Sequence, residues 1–153
     1  MSSIRLEPAH IRQITAAAEA ATPRECCGLL VGTGNPATGI VVTEVVTSTN
    51  IAAADRPDRF EVDPEIRFRT MRRLEGTPLD IVGHYHSHPD HPPDPSATDL
   101  AWAFEPELAW LIAGLRNGRV TALKAFRLTD DGTAFHPLEA LPGSENTFDL
   151  PLD

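Results

Sequence analysis

Four of the six histidines of this 153-residue chain, His84, His86, His88 and His91, fall within the stretch GHYHSHPDHPPDPSATD. Side chains on a strand alternate faces, so His84, His86 and His88 share one side of the apolar run LDIVGHYHSH, with Tyr85 and Ser87 on the other. Imidazoles at positions i and i+2 can reach one ion, and a further ligand must then come from another element. Asp99 is a natural supplier: if Ser96 opens a helix, the two residues lie one turn apart, and the turn 89–95 folds the carboxylate back toward the histidines. Two imidazoles and a carboxylate leave a fourth tetrahedral position for water, the donor set of a catalytic zinc site. The same set also suits non-haem iron. Strand geometry by itself does not choose among His84, His86 and His88. His10 and His136 stand alone and read as surface or hydrogen-bonded residues.

The elements that must position these residues are legible in outline. Pro8 with Ile11, Ile14, Ala18 and Ala21 predicts a first helix that ends at TPRE. CCGLLVGTG and GIVVTEVVTSTN predict two strands joined by a glycine-rich turn. Residues 50–58 have loop composition, and RFEVD reads as a short strand. Asp63, Pro64 and the stop at Gly76 bracket a second helix. LDIVGHYHSH is the histidine strand, the prolines between Pro89 and Pro95 prevent regular structure, and Ser96 caps a helix through Phe104. LAWLIAGL and RVTALKAFRL form a hairpin about Asn117-Gly118, and TAFHPL adds a strand after Asp131-Gly132. This order predicts an α+β domain with a curved, largely antiparallel β-sheet and flanking helices. It covers residues 1–140, with 141–153 as a loose tail.

Composition narrows the function classes. The length fits one domain, and no run is long and apolar enough for a membrane span. The N-terminal stretch is interrupted by Arg5, Glu7, Arg12 and Glu19, unlike a signal peptide, so a cytoplasmic location is expected. A net charge of −9 argues against nucleic acid as a partner. Twelve of the thirteen basic residues are arginine, with Lys124 the exception, a bias that fits either a high-salt cell or a GC-rich genome. The cysteines, Cys26 and Cys27, are adjacent, offer no disulfide framework and read as packing rather than as nucleophiles. Trp102, Phe104 and Trp110 read as groove-lining or core aromatics. Oligomeric state is not written in the sequence.

His86-Ser87-His88-Pro89, six residues, then Ser96-x-x-Asp99 resembles the motif of the JAMM (MPN+) zinc metalloproteases, His-x-His-Pro-x6-Ser-x-x-Asp. That family places a glutamate upstream, and PRECCGLLVG, with Glu25, is similar to its bacterial branch. The resemblance spans Glu25 to Asp99. It implies a JAB1/MPN domain, related in fold to the cytidine deaminases, with Zn²⁺ held by His86, His88 and Asp99. His84 and His91 fall outside the matching positions. It further implies that Glu25 is the general base, later acid, and that Ser96 donates to the oxyanion. Capping of the helix by Ser96 would compete for the same hydroxyl.

The resemblance also implies the substrate class. The family cleaves amide or isopeptide bonds after the C-terminal glycines of ubiquitin-like proteins. The bacterial members similar to this chain are associated with sulfur carriers of that fold, which suggests a peptidase releasing cysteine or a short extension from a Gly-Gly end. An acidic protein would then grip the carrier through a basic patch or through strand-like backbone pairing. The alternatives are a desampylase or deubiquitinase-like isopeptidase acting on protein conjugates, a non-catalytic scaffold of the same fold, and metal storage. A zinc deaminase is disfavoured because His-x-Glu with Pro-Cys-x-x-Cys is absent.

Overall fold

The computed structural model describes residues 2–52, 59–103 and 105–151, without the side chain of Trp102. Its first helix forms where the sequence places proline at a position that needs no amide donor. In chain order the elements are β1 (Ser3–Arg5), α1 (Pro8–Ala21), β2 (Cys27–Asn35), β3 (Gly39–Ser48), α2 (Pro64–Leu74), β4 (Asp80–His88) and α3 (Ala97–Trp102), then β5 (Ala109–Arg116), β6 (Arg119–Leu128), β7 (Phe135–Pro137), β8 (Glu139–Leu141), β9 (Gly143–Ser144) and β10 (Thr147–Phe148).

The strands form one sheet in the order β8-β1-β3-β2-β4-β5-β6-β10-β9, with β7 also on β6. Pairing is antiparallel except at β1–β3, β1–β8 and β4–β5. The sheet curls until its ends meet, with the Ala140 amide donating to the Glu145 carbonyl at 2.8 Å. The histidine strand β4 therefore lies well inside the sheet, braced by β2 and β5.

Alternation along β5 separates the two faces. Ala109, Leu111, Ala113 and Leu115 join Ile11, Ile14 and Ala18 of α1, together with Leu30, Tyr85 and Leu123, in the main core. Full burial of each isoleucine or leucine contributes about 1.5–3 kcal/mol. Trp110 and Ile112 point the other way and pack with Phe126, Phe60 and Phe135. Parallel register sets Trp110 beside His84 and Ile112 beside His86, so the histidines share this smaller aromatic face.

Three expectations are corrected. RFEVD is not a strand: only Val62 pairs, in an isolated bridge with Asn50, because the Asn50 side chain takes up the Glu61 amide and the Arg59 carbonyl itself. Helix α3 ends at Trp102, short of Pro106, which cannot extend it, and Phe104 lies outside the described residues. The segment after Leu141 is not loose. Thr147 pairs with Lys124 and Phe148 is 2% exposed, since its ring adds to the main core. The described part of 50–58 ends at Ala52, and β1 has no counterpart in the expected elements.

Candidate metal centre

Each candidate ligand is held by its own local device. His88 follows the sheet register to lie opposite Gly114. A Cβ at Gly114 would come within 2.6 Å of the Pro93 ring, so glycine there lets the proline-rich turn lie directly on β5. That turn brings the Pro92 carbonyl to 2.9 Å from His88 Nδ1. With Nδ1 committed to that carbonyl, Nε2 is the ring nitrogen left to face a metal. His86 is fully buried, and its ring stacks on Phe60 with centroids 4.2 Å apart and meets Trp110 edge-on. Its Nδ1 makes no hydrogen bond among the described residues, so aromatic packing sets the ring plane.

Asp99 arrives on the first turn of α3. Its amide donates to Ser96 Oγ at 3.0 Å, and its carboxylate accepts from the Ser96 amide at 2.9 Å, a reciprocal cap. The cap aims the carboxylate at β4. His86 Nε2 lies 3.2 Å from Asp99 Oδ1, His88 Nε2 lies 3.0 Å from Oδ2, and the two imidazole nitrogens are 3.2 Å apart. Donors bound to one tetrahedral ion at about 2.0–2.1 Å stand about 3.3 Å from each other, close to the separation of the two imidazole nitrogens and of each nitrogen from its nearer Asp99 oxygen, so the cluster suits a divalent cation. Burial works against the Asp99 carboxylate, but its bonds with His86 and His88 hold its pKa well below the usual range. Burial pushes His86 down, which keeps it a neutral donor. At His88 burial acts in the same sense, but Asp99 and the Pro92 carbonyl outweigh it and raise the pKa.

Glu25 precedes β2 and is 4% exposed. A carboxylate oxygen of Glu25 and one nitrogen each of His86 and His88 all lie within 4.8 Å of one another. The structure thus brings together Glu25, His86, His88, Ser96 and Asp99. It also resolves the expected competition at Ser96: the hydroxyl oxygen caps by accepting from the Asp99 amide, so its own O–H proton stays available to donate.

A family model for the prokaryotic homologs of the JAB domain matches residues 7–129. The chain belongs to the prokaryotic JAB family. It is 40% identical over 100 residues to a Haloferax volcanii protein named desampylase, which covers 65% of this chain and 68% of that one. Over 122 residues it is 26% identical to a Mycobacterium tuberculosis protein named CysO-cysteine peptidase, covering 78% of each. The solution structure of a Desulfitobacterium hafniense protein is similar at a TM-score of 0.74 and 28% identity, covering 94% of both chains.

Within this JAB domain the remaining candidates fall away from the ligand triangle. His84 packs its ring edge-on to Trp110 at 4.4 Å, and burial, then His86 and Arg67, push its pKa down to about 3. His91 is exposed and contributes its carbonyl to the turn over Gly114. His10 accepts from the Glu7 amide in the α1 cap. Cys26 and Cys27 are buried, and desolvation raises their thiols to about 11 and about 12, which leaves them protonated and inert. No described helix is long and apolar enough to cross a membrane.

Two contributors escape a motif-based reading of a JAB domain. Asn50 Nδ2 donates to the Glu25 carbonyl at 2.9 Å and the Arg59 carbonyl at 3.1 Å, while Oδ1 accepts from the Ala52 and Glu61 amides. Phe60, held in that segment, is the ring stacked on His86. The only local signal is an asparagine at the start of a loop. Two clefts flank the centre. One of about 660 Å³ is lined by Glu25, His88, Ser96 and Thr98; the other, about 690 Å³, by Phe60, Arg67, His84, Thr98, Asp99 and Trp110.

Proposed function

We propose that this chain is a zinc-dependent peptidase that hydrolyses the amide bond after the C-terminal Gly-Gly of a ubiquitin-like sulfur-carrier protein, releasing cysteine or a short extension. The observation that carries the reading is the cluster of His86 Nε2, His88 Nε2 and the two Asp99 carboxylate oxygens, with contacts of 3.0–3.2 Å, and the Glu25 carboxylate beside it. His86, His88 and Asp99 would hold the ion. Bound there, zinc supplies Lewis acidity that brings a water's pKa toward ~7. Retention of every motif residue argues against a scaffold.

The chain's own residues do the rest. Glu25 takes the proton of the attacking water and passes it to the leaving nitrogen, acting first as base and then as acid. Its burial excludes bulk water from that transfer. Ser96 donates its O–H to the carbonyl oxygen as negative charge develops there, a contribution worth on the order of 10²-fold or more in rate. The helix cap holds the hydroxyl at the correct place without consuming its proton. Thr98 lines both clefts, so a substrate chain crossing from one to the other passes directly over the centre.

A second reading is an isopeptidase of protein conjugates, favoured by the 40% identity to the Haloferax volcanii desampylase. Intact-mass analysis separates the two. Zinc-loaded protein is incubated with a ubiquitin-fold carrier ending in Gly-Gly-Cys and, separately, with the same carrier linked through its terminal glycine to a protein lysine. Loss of one cysteine supports the peptidase; cleavage of the lysine conjugate alone supports the isopeptidase. No cleavage of either by zinc-bound protein contradicts both.

A further inference from the structure

Helix α2 is the exception to this acidic molecule. Between its acidic caps, Asp63 and Glu75, it carries Arg67, Arg69, Arg72 and Arg73 against one acid, Glu65, in a chain of net charge −9. It also turns two large apolar side chains to solvent, Phe68 at 58% and Met71 at 52% exposure. These stand three residues apart and so are neighbours on one side of the helix. Thr70 and Leu74 are its buried residues, so Phe68 and Met71 are not needed to seat the helix on the sheet. The Arg72 guanidinium lies 5.7 Å from the centroid of the Phe68 ring, which makes the apolar pair a cationic one as well.

This face continues into the metal centre. Arg67, four residues before Met71 and so its neighbour along the helix, lines the cleft of about 690 Å³ together with Pro64 and Asp99. A two-point bond to Glu105 holds Arg67 in that wall. Arg69 and Arg73 pair with Glu65 and Glu44 at 3.5 and 3.0 Å, but exposed pairs of this kind are worth little and exchange readily for carboxylates of a partner.

We propose that Phe68, Met71 and Arg72 form the docking surface for the folded body of the substrate, while its C-terminal tail occupies the cleft walled by Arg67. The inference rests on the peptidase reading above. The occupant is a small ubiquitin-fold protein that presents an apolar patch ringed by carboxylates. A cationic apolar face on an otherwise acidic molecule attracts such a patch and repels a basic one, and its continuity with the cleft lets one protein fill both.

Two substrates test this: the whole carrier ending in Gly-Gly-Cys, and a short peptide copy of its last residues with the same scissile bond. The Phe68→Ser/Met71→Gln double variant and Arg72→Glu are compared with wild type on each. These positions are exposed, so folding should be retained. The expected result is a KM for the whole carrier raised about tenfold or more in the double variant, with kcat retained and the peptide cleaved as by wild type. For wild type the whole-carrier KM should also rise with added salt, and Arg72→Glu should flatten that dependence. Unchanged KM for the whole carrier overturns the proposal, and so does equal loss on both substrates. A change in self-association with KM untouched would assign the face to a second copy and overturn it too. A wild type that cleaves neither substrate overturns the peptidase reading itself, and the docking surface with it.

Discussion

Ser87 Oγ accepts a hydrogen bond from the Cys26 amide at 2.8 Å, and the Ser87 amide donates back to the Cys26 carbonyl at 3.3 Å. Ser87 stands between His86 and His88, and Cys26 follows Glu25. This pair therefore locks the segment carrying Glu25 to the strand carrying His86 and His88, from the face opposite the two imidazoles.

Ser87→Ala removes the acceptor from a buried amide, at a cost of about 1–3 kcal/mol. For a domain of this size that lowers Tm by roughly 2–12 °C. Calorimetry on the zinc-loaded variant checks it; an unchanged Tm would mean that the register is held elsewhere.

Asn50→Asp keeps the two bonds accepted by Oδ1 and loses the two donated to the Glu25 and Arg59 carbonyls. A carboxylate then faces two carbonyls, and the Glu25 backbone shifts. Misplacement of a proton-transfer group on the order of 1 Å can cost up to about 10²-fold in rate. The expected outcome is a kcat reduced about tenfold or more, with zinc content at the wild-type level. Steady-state kinetics with metal analysis on the same sample decides; full activity would remove Asn50 from the account.

The buried cysteines predict alkaline lability. Desolvation raises Cys26 to about 11 and Cys27 to about 12, against 9.0 for an ordinary thiol. The unfolded chain therefore loses these protons first, and their stabilising contribution is whole below about pH 9 and fades as pH rises toward 12. Tm should fall across that window, and less steeply in Cys27→Ala. Native protein should also resist alkylation near pH 8 while the unfolded chain reacts at both thiols. Rapid loss of activity on alkylation of the folded protein would contradict this.

What the sequence reveals of the site is whatever local periodicity carries. Alternation along β4 puts His84, His86 and His88 on one face, and one helical turn joins Ser96 to Asp99, so spacing brings a carboxylate to that face while the resemblance to the JAMM motif selects His86 and His88. The same alternation cannot separate His84 from its neighbours. Trp110, brought beside His84 by the β4–β5 register, engages that ring, while Asp99 reaches His86 and His88. Asn50 and Phe60 are invisible for a related reason: their partners, Glu25 and His86, lie about 25 residues away, and only tertiary folding joins them. In the tail, Pro142, Gly143 and Asn146 suggest an unstructured segment, yet the same residues make the short turn that lets Phe148 reach the core.

Glu25 is proposed to move the proton at a centre held by His86, His88 and Asp99, and Glu25→Gln isolates that role. The amide keeps the shape of the carboxylate, and the proposed ligands, His86, His88 and Asp99, are left in place. Zinc content by mass spectrometry and turnover of the Gly-Gly-Cys carrier are measured together for wild type and variant. One zinc per chain is expected in both, with cysteine released by wild type and turnover reduced about 10²–10⁴-fold in Glu25→Gln. Equal turnover by the two zinc-loaded proteins, or loss of zinc from Glu25→Gln, would contradict it.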